Sequence, residues 1–238
     1  MKRIISLMLI STLFVSVFCA CKQEKAEVQE TVSYNEEILV EKASDFVEEW
    51  YYDSGEEGYA VPQFNVDSKG ADALNKELSE KYTDIKEMGK EKGYLHVEMQ
   101  GSVYKNLAFI LVETTKKDEG AIYEVYSISL GTGEKATNEE VYRCFDVSKI
   151  TCYGAVYDAL SNEYKVNFHS FSDSSEGAYS KYRKKTLANE NVYNSTLYIN
   201  NRGQLSAVGT IYSIDGETEF SCAVAAIDPP LKKTQAEN

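Results

Sequence analysis

The chain has 238 residues, a formal net charge of −13, and a hydrophobic fraction of 43%. That length suits one domain or two small ones, with enough apolar residues for a packed core. The charge balance offers no basic stripe to a phosphate backbone, so we expect no nucleic-acid binding. An acidic surface would instead attract a cationic partner. Tyrosine, at 18 residues against 9 phenylalanines, suits both strands and binding surfaces.

The first 20 residues are typical of a secretion signal. A short basic segment, Met1–Arg3, precedes the apolar run Ile4–Phe18, which falls short of the roughly 20 residues that cross a bilayer. Ala20 directly before Cys21 resembles a bacterial lipobox, in which cleavage precedes the cysteine and its thiol is acylated. We therefore predict a cleaved lipoprotein signal peptide over residues 1–20 and lipidation of Cys21. An ordinary signal peptide cleaved nearby is the alternative.

Residues 21–35 are predicted to form a flexible tether from the lipidated Cys21. They are polar, rich in Glu and Gln, and show no apolar period. Two acyl chains or more would hold the protein stably, since one chain binds only marginally. Cleavage removes the positive charges of Lys2 and Arg3, which takes the net charge from −13 to −15. We expect a protein anchored by lipid at the extracytoplasmic face of the cell membrane.

The folded domain is expected over residues 36–228. The sequence of its first part predicts an extended segment followed by a helix. Residues 34–52 are expected to begin as a strand, with a helix as the alternative. Tyr59–Val66 is expected to be an extended edge segment, because a proline cannot donate to a strand ladder. Asp67-Ser68 offers an N-cap to the helix that follows. The apolar residues of that helix recur at spacings of three and four, at Ala71, Leu74, Leu78, Tyr82 and Ile85.

Three antiparallel strands with short turns are predicted next. Tyr94–Tyr104 alternates loosely, and Leu107–Val112 is a continuous apolar run that we expect to be covered on both faces. Ala121–Leu130 alternates as a half-buried strand does, with one face more apolar than the other. The more apolar face carries Ile122, Tyr126, Ile128 and Leu130, with Glu124 among them, and the other carries Tyr123, Val125, Ser127 and Ser129.

The rest of the chain predicts helices and then a hairpin. Thr137 or Asn138 can cap a short helix, a longer helix is expected over about Ser148–Phe168, and another over about Gly177–Ala188. The predicted strands are Ser195–Ile199, Gln204–Ile214 and Glu217–Ala226, with Asp215-Gly216 as the hairpin turn. Residues 229–238 form a polar tail. The predicted fold is α+β, an antiparallel β-sheet with helices packed on it, after the cleaved lipoprotein signal peptide.

The side chains predict no catalytic, cofactor or metal site. His96 lies in a strand pattern, and His169 lies at a helix end, where the helix dipole favours a cation. A Cys152–His169 nucleophile and base is conceivable, but no further feature supports it. The sequence contains no G-x-S-x-G, no H-E-x-x-H and no C-x-x-C spacing. We therefore expect a protein that is not an enzyme.

The cysteines left after processing are odd in number, so they cannot all pair internally. They are Cys144, Cys152 and Cys222. Cys144 and Cys152 are close enough in sequence for a local disulfide. We favour three small, reduced residues.

Three stretches together carry a family resemblance. Val61–Asp67 with Ala73–Leu78 resembles a proline-bearing strand and first helix. Glu119–Ala121 with Tyr126–Glu134 resembles a Gly-Gly-Ala-His segment leading into a strand that ends in Leu-x-Thr-Gly. Leu197–Leu205 resembles a late hairpin. These are similar to the extracytoplasmic domain of the RsiV anti-sigma factor and of PdaC-type deacetylases, which is widespread in bacterial lipoproteins.

The resemblance implies an α+β fold and a role in binding. In RsiV the domain senses lysozyme, and in the deacetylases the activity belongs to a separate domain. The chain departs from the pattern at Glu119 and Ile122, where the family often has glycine and histidine. We predict a non-catalytic binding or sensing module at the cell envelope, for an extracytoplasmic protein such as lysozyme or for a cell-wall glycan. The alternative is an enzyme or enzyme accessory in peptidoglycan modification.

Overall fold

A computed structural model describes most of the expected domain. The predicted signal peptide, Cys21 and the tether lie outside the described residues, and so do the expected strand at the start of residues 34–52 and the tail beyond residue 229. No helix among the described residues is long and apolar enough to cross a membrane. The described ranges are residues 50–53, 63–88, 93–116, 120–171 and 177–229.

The predicted α+β class is confirmed, because these ranges contain both helices and antiparallel strands. The strands are β1 (Trp50–Asp53), β2 (Tyr94–Tyr104), β3 (Leu107–Lys116), β4 (Ala121–Ser129), β5 (Thr196–Ile199), β6 (Leu205–Tyr212) and β7 (Glu219–Ile227). The helices are α1 (Lys69–Met88), α2 (Asn138–Cys144), α3 (Lys149–Phe168), α4 (Ala178–Thr186) and α5 (Asn189–Tyr193), and a 3-10 turn, His169–Phe171, follows α3.

The strands divide into two antiparallel sheets, one in the order β1-β2-β3-β4 and one in the order β5-β6-β7. The meander predicted from residues 94–130 is confirmed as β2-β3-β4, and β1 adds to its free edge. The short turn predicted between β2 and β3 falls at Lys105-Asn106, with Lys105 in the left-handed region at φ 52. The division into two sheets was not predicted.

Helix α1 covers one face of the first sheet. The Ser68 hydroxyl accepts from the Ala71 N–H at 3.1 Å and so caps the helix, as predicted. Residues 63–68, the described part of the segment before it, carry no strand ladder. Instead, the side chain of Asn75 bonds both backbone groups of Phe64, at 2.7 and 2.9 Å. The core under α1 contains Phe64, Ala71, Leu74, Leu78, Tyr82, Val97, Met99, Ala108, Ile110, Val112, Tyr126 and Ile128.

The other face of the first sheet packs into a second core. Leu107 and Phe109 of β3 belong to this core, while their neighbours Ala108 and Ile110 lie under α1. The apolar run of β3 is therefore covered on both faces, as predicted. The second core also draws on α2, α3 and the second sheet, with Val141, Val156, Leu160, Tyr164, Leu197, Ile199, Leu205, Ala207 and Ile211 among its members.

The prediction that β4 is half-buried along its whole length is wrong. Ser127 and Ser129, on the face expected to be exposed, are only 5% and 2% exposed. The chain returns beside them after the turn, with the Ser129 N–H bonded to the Glu134 carbonyl at 2.9 Å and the Ala136 N–H to the Ser127 carbonyl at 3.1 Å. The returning segment pairs with the backbone of β4 at Ser127 and Ser129. Because these backbone groups are satisfied, small polar side chains can be buried there.

Helices α2 and α3 begin where the sequence predicts. Thr137 and Glu140 form a reciprocal capping box at α2, and Ser148 caps α3 by accepting from the Thr151 N–H at 3.1 Å. Asn138, the alternative N-cap, does not cap α2. Its side chain donates to the Ser195 carbonyl and accepts from the Leu197 N–H, both at 2.9 Å, and so ties α2 to the outer edge of β5.

The helix expected over about Gly177–Ala188 is confirmed as α4, but the short helix α5 that follows it was not predicted. Helix α4 ends at Thr186, and α5 begins at Asn189. Thr186 is fully buried, and its hydroxyl accepts from the Tyr212 N–H of β6 at 3.1 Å. The amide of Asn191 donates to the carbonyls of Thr186 and Thr210, at 2.7 and 2.9 Å. These bonds to β6 outcompete continuation of the helix.

Candidate functional site

The two sheets meet edge to edge at β4 and β7. The Tyr123 N–H of β4 donates to the Ser221 hydroxyl of β7 at 2.7 Å, and that hydroxyl lies 3.5 Å from the Ala121 carbonyl, to which it donates. The Ser221 side chain thus bonds two backbone groups of β4 that would otherwise bond a neighbouring strand. No regular ladder joins the described strands β4 and β7.

A solvent-open cleft of about 430 Å³ lies where the beginnings of β4 and β7 adjoin. Thr210 pairs directly with Ser221, and Tyr212 with Glu219, so these four side chains share one face of the second sheet. Three of them reach the cleft. Its lining residues are Gly120, Ala121, Ile122, Thr210, Thr218, Glu219, Phe220 and Ser221.

The lining combines apolar walls with one carboxylate and several hydroxyls. Ile122 is 41% exposed, and Phe220 is held by its contact with Phe168, with ring centroids 6.1 Å apart. Glu219 is exposed at the mouth. Such a lining can accept a side chain with an apolar stem and a cationic head, as lysine and arginine have.

The β6–β7 hairpin adds negative charge beside the cleft. The Asp215 carboxylate accepts from the N–H groups of Thr218 and Glu217 at 3.0 and 2.9 Å. These bonds hold the pKa of Asp215 below its usual value, so it stays ionised. Asp215, Glu217 and Glu219 are all exposed on this one hairpin, which makes the mouth of the cleft anionic.

A second polar cluster joins β4 to α1 and is structural. Lys81 donates to one oxygen of the Glu124 carboxylate, and the Tyr82 hydroxyl donates to the other at 2.5 Å. The Tyr126 hydroxyl lies 3.5 Å from that of Tyr82. Burial and the bond to Glu124 raise the pKa of Tyr82. Both carboxylate oxygens are occupied by groups of α1, so the cluster serves as a clamp between α1 and the sheet.

The family-like turn after β4 is also structural. The Ser68 hydroxyl, which caps α1, donates to the Gly133 carbonyl at 2.6 Å. Gly133 has φ +69, and a Cβ there would overlap the Ser68 side chain. A Cβ at Gly70 would in turn overlap the Gly133 carbonyl. Two glycines are therefore required where the turn docks against the start of α1.

The structure excludes the Cys152–His169 pair as nucleophile and base. Cys152 lies in the first turn of α3 and His169 just past its last turn. At 1.5 Å per residue the helix separates them by about 25 Å. His96 lies in β2, with its Nε2 3.4 Å from the Glu98 carboxylate. Neither histidine is brought to the cleft.

The cysteines Cys144, Cys152 and Cys222 are all free thiols, as the sequence analysis favoured. Burial raises the pKa of Cys152 to about 11 and that of Cys222 to about 12. Such thiols carry little thiolate at neutral pH and are poor nucleophiles and metal ligands. No group of three His, Cys, Asp or Glu side chains converges within the described ranges to hold a metal ion.

The cleft could not be predicted from the sequence, because the residues of β4 and of β7 that line it lie about a hundred residues apart in the chain. The Asp215-Gly216 turn was the one local signal that pointed near it. Cys21, the predicted lipidation site, lies outside the described residues.

No family model matches the chain, and no curated protein matches it. The resemblance to the domain of RsiV and the PdaC-type deacetylases therefore stays a prediction from the sequence.

Proposed function

We propose that the chain is a lipid-anchored envelope protein that binds a cationic extracytoplasmic protein through the cleft between β4 and β7, without catalysing a reaction. The observation that carries the proposal is the cleft itself, whose lining includes the exposed Glu219 and the exposed apolar side chain of Ile122. A lysine or arginine of the partner would lay its stem along the walls and place its charge against Glu219.

Charge supports a cationic partner over an anionic one. The chain carries −13 overall, and three carboxylates lie on the hairpin beside the cleft. A field of this sign raises the association rate of a cationic protein and slows that of an anionic one. Lysozyme is the candidate that the family resemblance suggests.

The anchor would keep this module at the membrane surface. Acylation of Cys21 predicts that the protein is labelled by palmitate in growing cells and that Cys21→Ala abolishes the label. Retention of the label in Cys21→Ala would contradict the proposed anchor but would not bear on binding at the cleft.

Capture of the full-length chain by lysozyme and by isolated cell wall, at low and at high salt, tests the binding proposal. We expect capture by lysozyme that is lost at high salt, because a charge-steered contact is screened. Salt-resistant capture by the cell wall alone would reassign the cleft to a glycan, since stacking on an aromatic ring does not depend on charge. Turnover of peptidoglycan or of acetylated glycans by the chain would contradict the non-catalytic role.

A further inference from the structure

Helix α4 concentrates positive charge in an acidic protein. Its nine residues, Ala178–Thr186, contain four cationic side chains and no carboxylate, whereas the whole chain has 38 acidic and 25 basic residues. The expectation of no basic stripe, drawn from the overall charge, overlooked this helix. Lys181, Lys184 and Lys185 are exposed on it, and we call these three residues the α4 lysine face.

The cations of α4 have no acidic partners within the described part of the chain. Other cations do pair with carboxylates there, and the residues that do so include Lys76, Lys81, Lys105 and Arg143. In a chain so rich in Asp and Glu, it is unusual that the cations of this helix pair with none of the described carboxylates.

Two lysines of this face are held in place by tyrosine rings. The Lys185 ammonium lies 3.7 Å from the ring centroid of Tyr212. The Lys181 ammonium lies 4.9 Å from the ring centroid of Tyr182 and 3.3 Å from its hydroxyl, to which it donates. Cation–π contacts fix these long side chains before any ligand arrives, which lowers the entropy cost of binding.

The helix is itself fastened to the domain. The Arg183 guanidinium donates to the Ser161 hydroxyl of α3 at 2.6 Å. The Tyr182 hydroxyl packs against Gly216, so closely that a Cβ there would overlap it. Helix α4 is therefore fixed to the domain, and the lysine face lies beside the β6–β7 hairpin.

The helix dipole accounts for only part of this arrangement. Cations in a last turn stabilise a helix C-terminus, and Arg183, Lys184 and Lys185 occupy the last turn of α4. Lys181 lies before that turn. A dipole effect also does not require ammonium groups to be placed over aromatic rings.

We propose that the α4 lysine face docks on the anionic phospholipid headgroups of the membrane that carries the protein. This rests on the proposed lipid anchor at Cys21. The tether predicted over the 15 residues 21–35 would span about 20 Å on average if flexible, which puts headgroup phosphates within its reach. Tyr182 and Tyr212 suit that place, because tyrosine favours a boundary between apolar and wet surroundings.

Docking in this way would orient the cleft. Because α4 contacts Tyr212 and Gly216 of the β6–β7 hairpin, the hairpin that carries Glu219 would lie next to the membrane surface. The hairpin carboxylates Asp215, Glu217 and Glu219 would be repelled from the same surface, so α4 would face the headgroups and the carboxylates would face away from them. One orientation of the tethered domain is therefore favoured.

Hydrogen exchange of the full-length chain, anchored in phosphatidylcholine nanodiscs with and without phosphatidylglycerol, tests the proposal. We expect the amides of α4 to exchange more slowly with phosphatidylglycerol at low salt, and this protection to vanish at high salt. The triple variant Lys181→Gln/Lys184→Gln/Lys185→Gln should lose it, since three surface lysines change such an equilibrium on the order of 100-fold. The matched control is Lys69→Gln/Lys76→Gln/Lys135→Gln, which removes three exposed lysines elsewhere and should keep the protection.

Unchanged exchange in α4, or equal loss of protection in both triple variants, would overturn the proposal. Stronger protection of α4 by soluble polyphosphate than by phosphatidylglycerol would overturn it in favour of a phosphate polymer. Lysozyme binding, measured on the same preparations in neutral nanodiscs, separates failure of the docking from failure of the cleft. Palmitate labelling reports on the anchor independently.

Discussion

Glu124 illustrates how one residue can couple two elements. Its carboxylate receives Lys81 and Tyr82 from α1, while its backbone belongs to β4. Tyr82 is only 1% exposed, so its hydroxyl needs this acceptor to remain satisfied. The sequence placed Glu124 among the residues of the more apolar face of β4, and the structure gives the reason that a carboxylate is tolerated there.

We predict that Glu124→Gln lowers the free energy of unfolding by about 1–2 kcal/mol, because a charged acceptor for a buried hydroxyl and an ammonium is lost. Tyr82→Phe should lower the free energy of unfolding by a smaller amount, because the partly exposed Glu124 carboxylate still bonds Lys81 and remains in contact with water. Urea titration followed by circular dichroism measures both. The matched control is Glu80→Gln, which breaks an exposed pair with Lys76 and should change the stability by less than about 0.5 kcal/mol. Equal stability of Glu124→Gln and Glu80→Gln would refute the clamp.

At the scale of elements, the residues at which helices begin were predictable from the sequence, but the packing of the helices against the strands was not. Ser68 and Thr137 act as caps as predicted, and Ser148 caps the helix that was predicted to start there, because capping depends on residues three or four apart. The break between α4 and α5 depends on Thr186 and Asn191 reaching β6, about twenty residues further on. No local pattern in residues 177–188 reports that contact.

The docking of the β4 turn on α1 gives a prediction at this scale. Gly133→Ala should lower the stability by about 2–4 kcal/mol, because a left-handed alanine and an overlap with Ser68 add together. The matched control is Gly131→Ala in the same turn, where the nearest atom would lie 4.0 Å away and φ is not positive. Thermal melts of the two variants measure the difference. Similar melting temperatures would show that the turn does not pack against α1 in this way.

At the scale of the molecule, the cores and the overall class followed from hydrophobic periodicity, but the arrangement of the sheets did not. The spacing of Ala71, Leu74, Leu78 and Tyr82 predicted the buried face of α1. The adjacency of β4 and β7 depends on Ser221 bonding Tyr123, about a hundred residues away. Ser221 alternates in β7 like any surface serine, so its sequence context contains no sign of this role or of the cleft.

Buried thiols and phenols predict that the protein loses stability in alkali. Burial raises the pKa of Cys222 from 9.0 to about 12 and that of Tyr198 from 10.0 to about 12. Above about pH 9 the unfolded chain releases these protons while the folded chain holds them, so stability falls as the pH rises from about 9 to about 12. Melting temperatures measured across that range should decline, and less steeply in Cys152→Ala/Cys222→Ala. A constant melting temperature over the same range would contradict the burial of these groups.

The central claim is that Glu219 and the cleft recognise a cationic protein. Calorimetric titration of the full-length chain with lysozyme, beside the variants Glu219→Lys and Glu80→Lys, tests it most directly. Both variants change the net charge equally, and Glu80 is an exposed residue of α1, outside the cleft. We predict that Glu219→Lys weakens binding at least about tenfold, since reversing a contact charge costs more than 1.4 kcal/mol, and that Glu80→Lys weakens it far less. Equal weakening by the two variants, or no binding by the unaltered chain, would contradict the account.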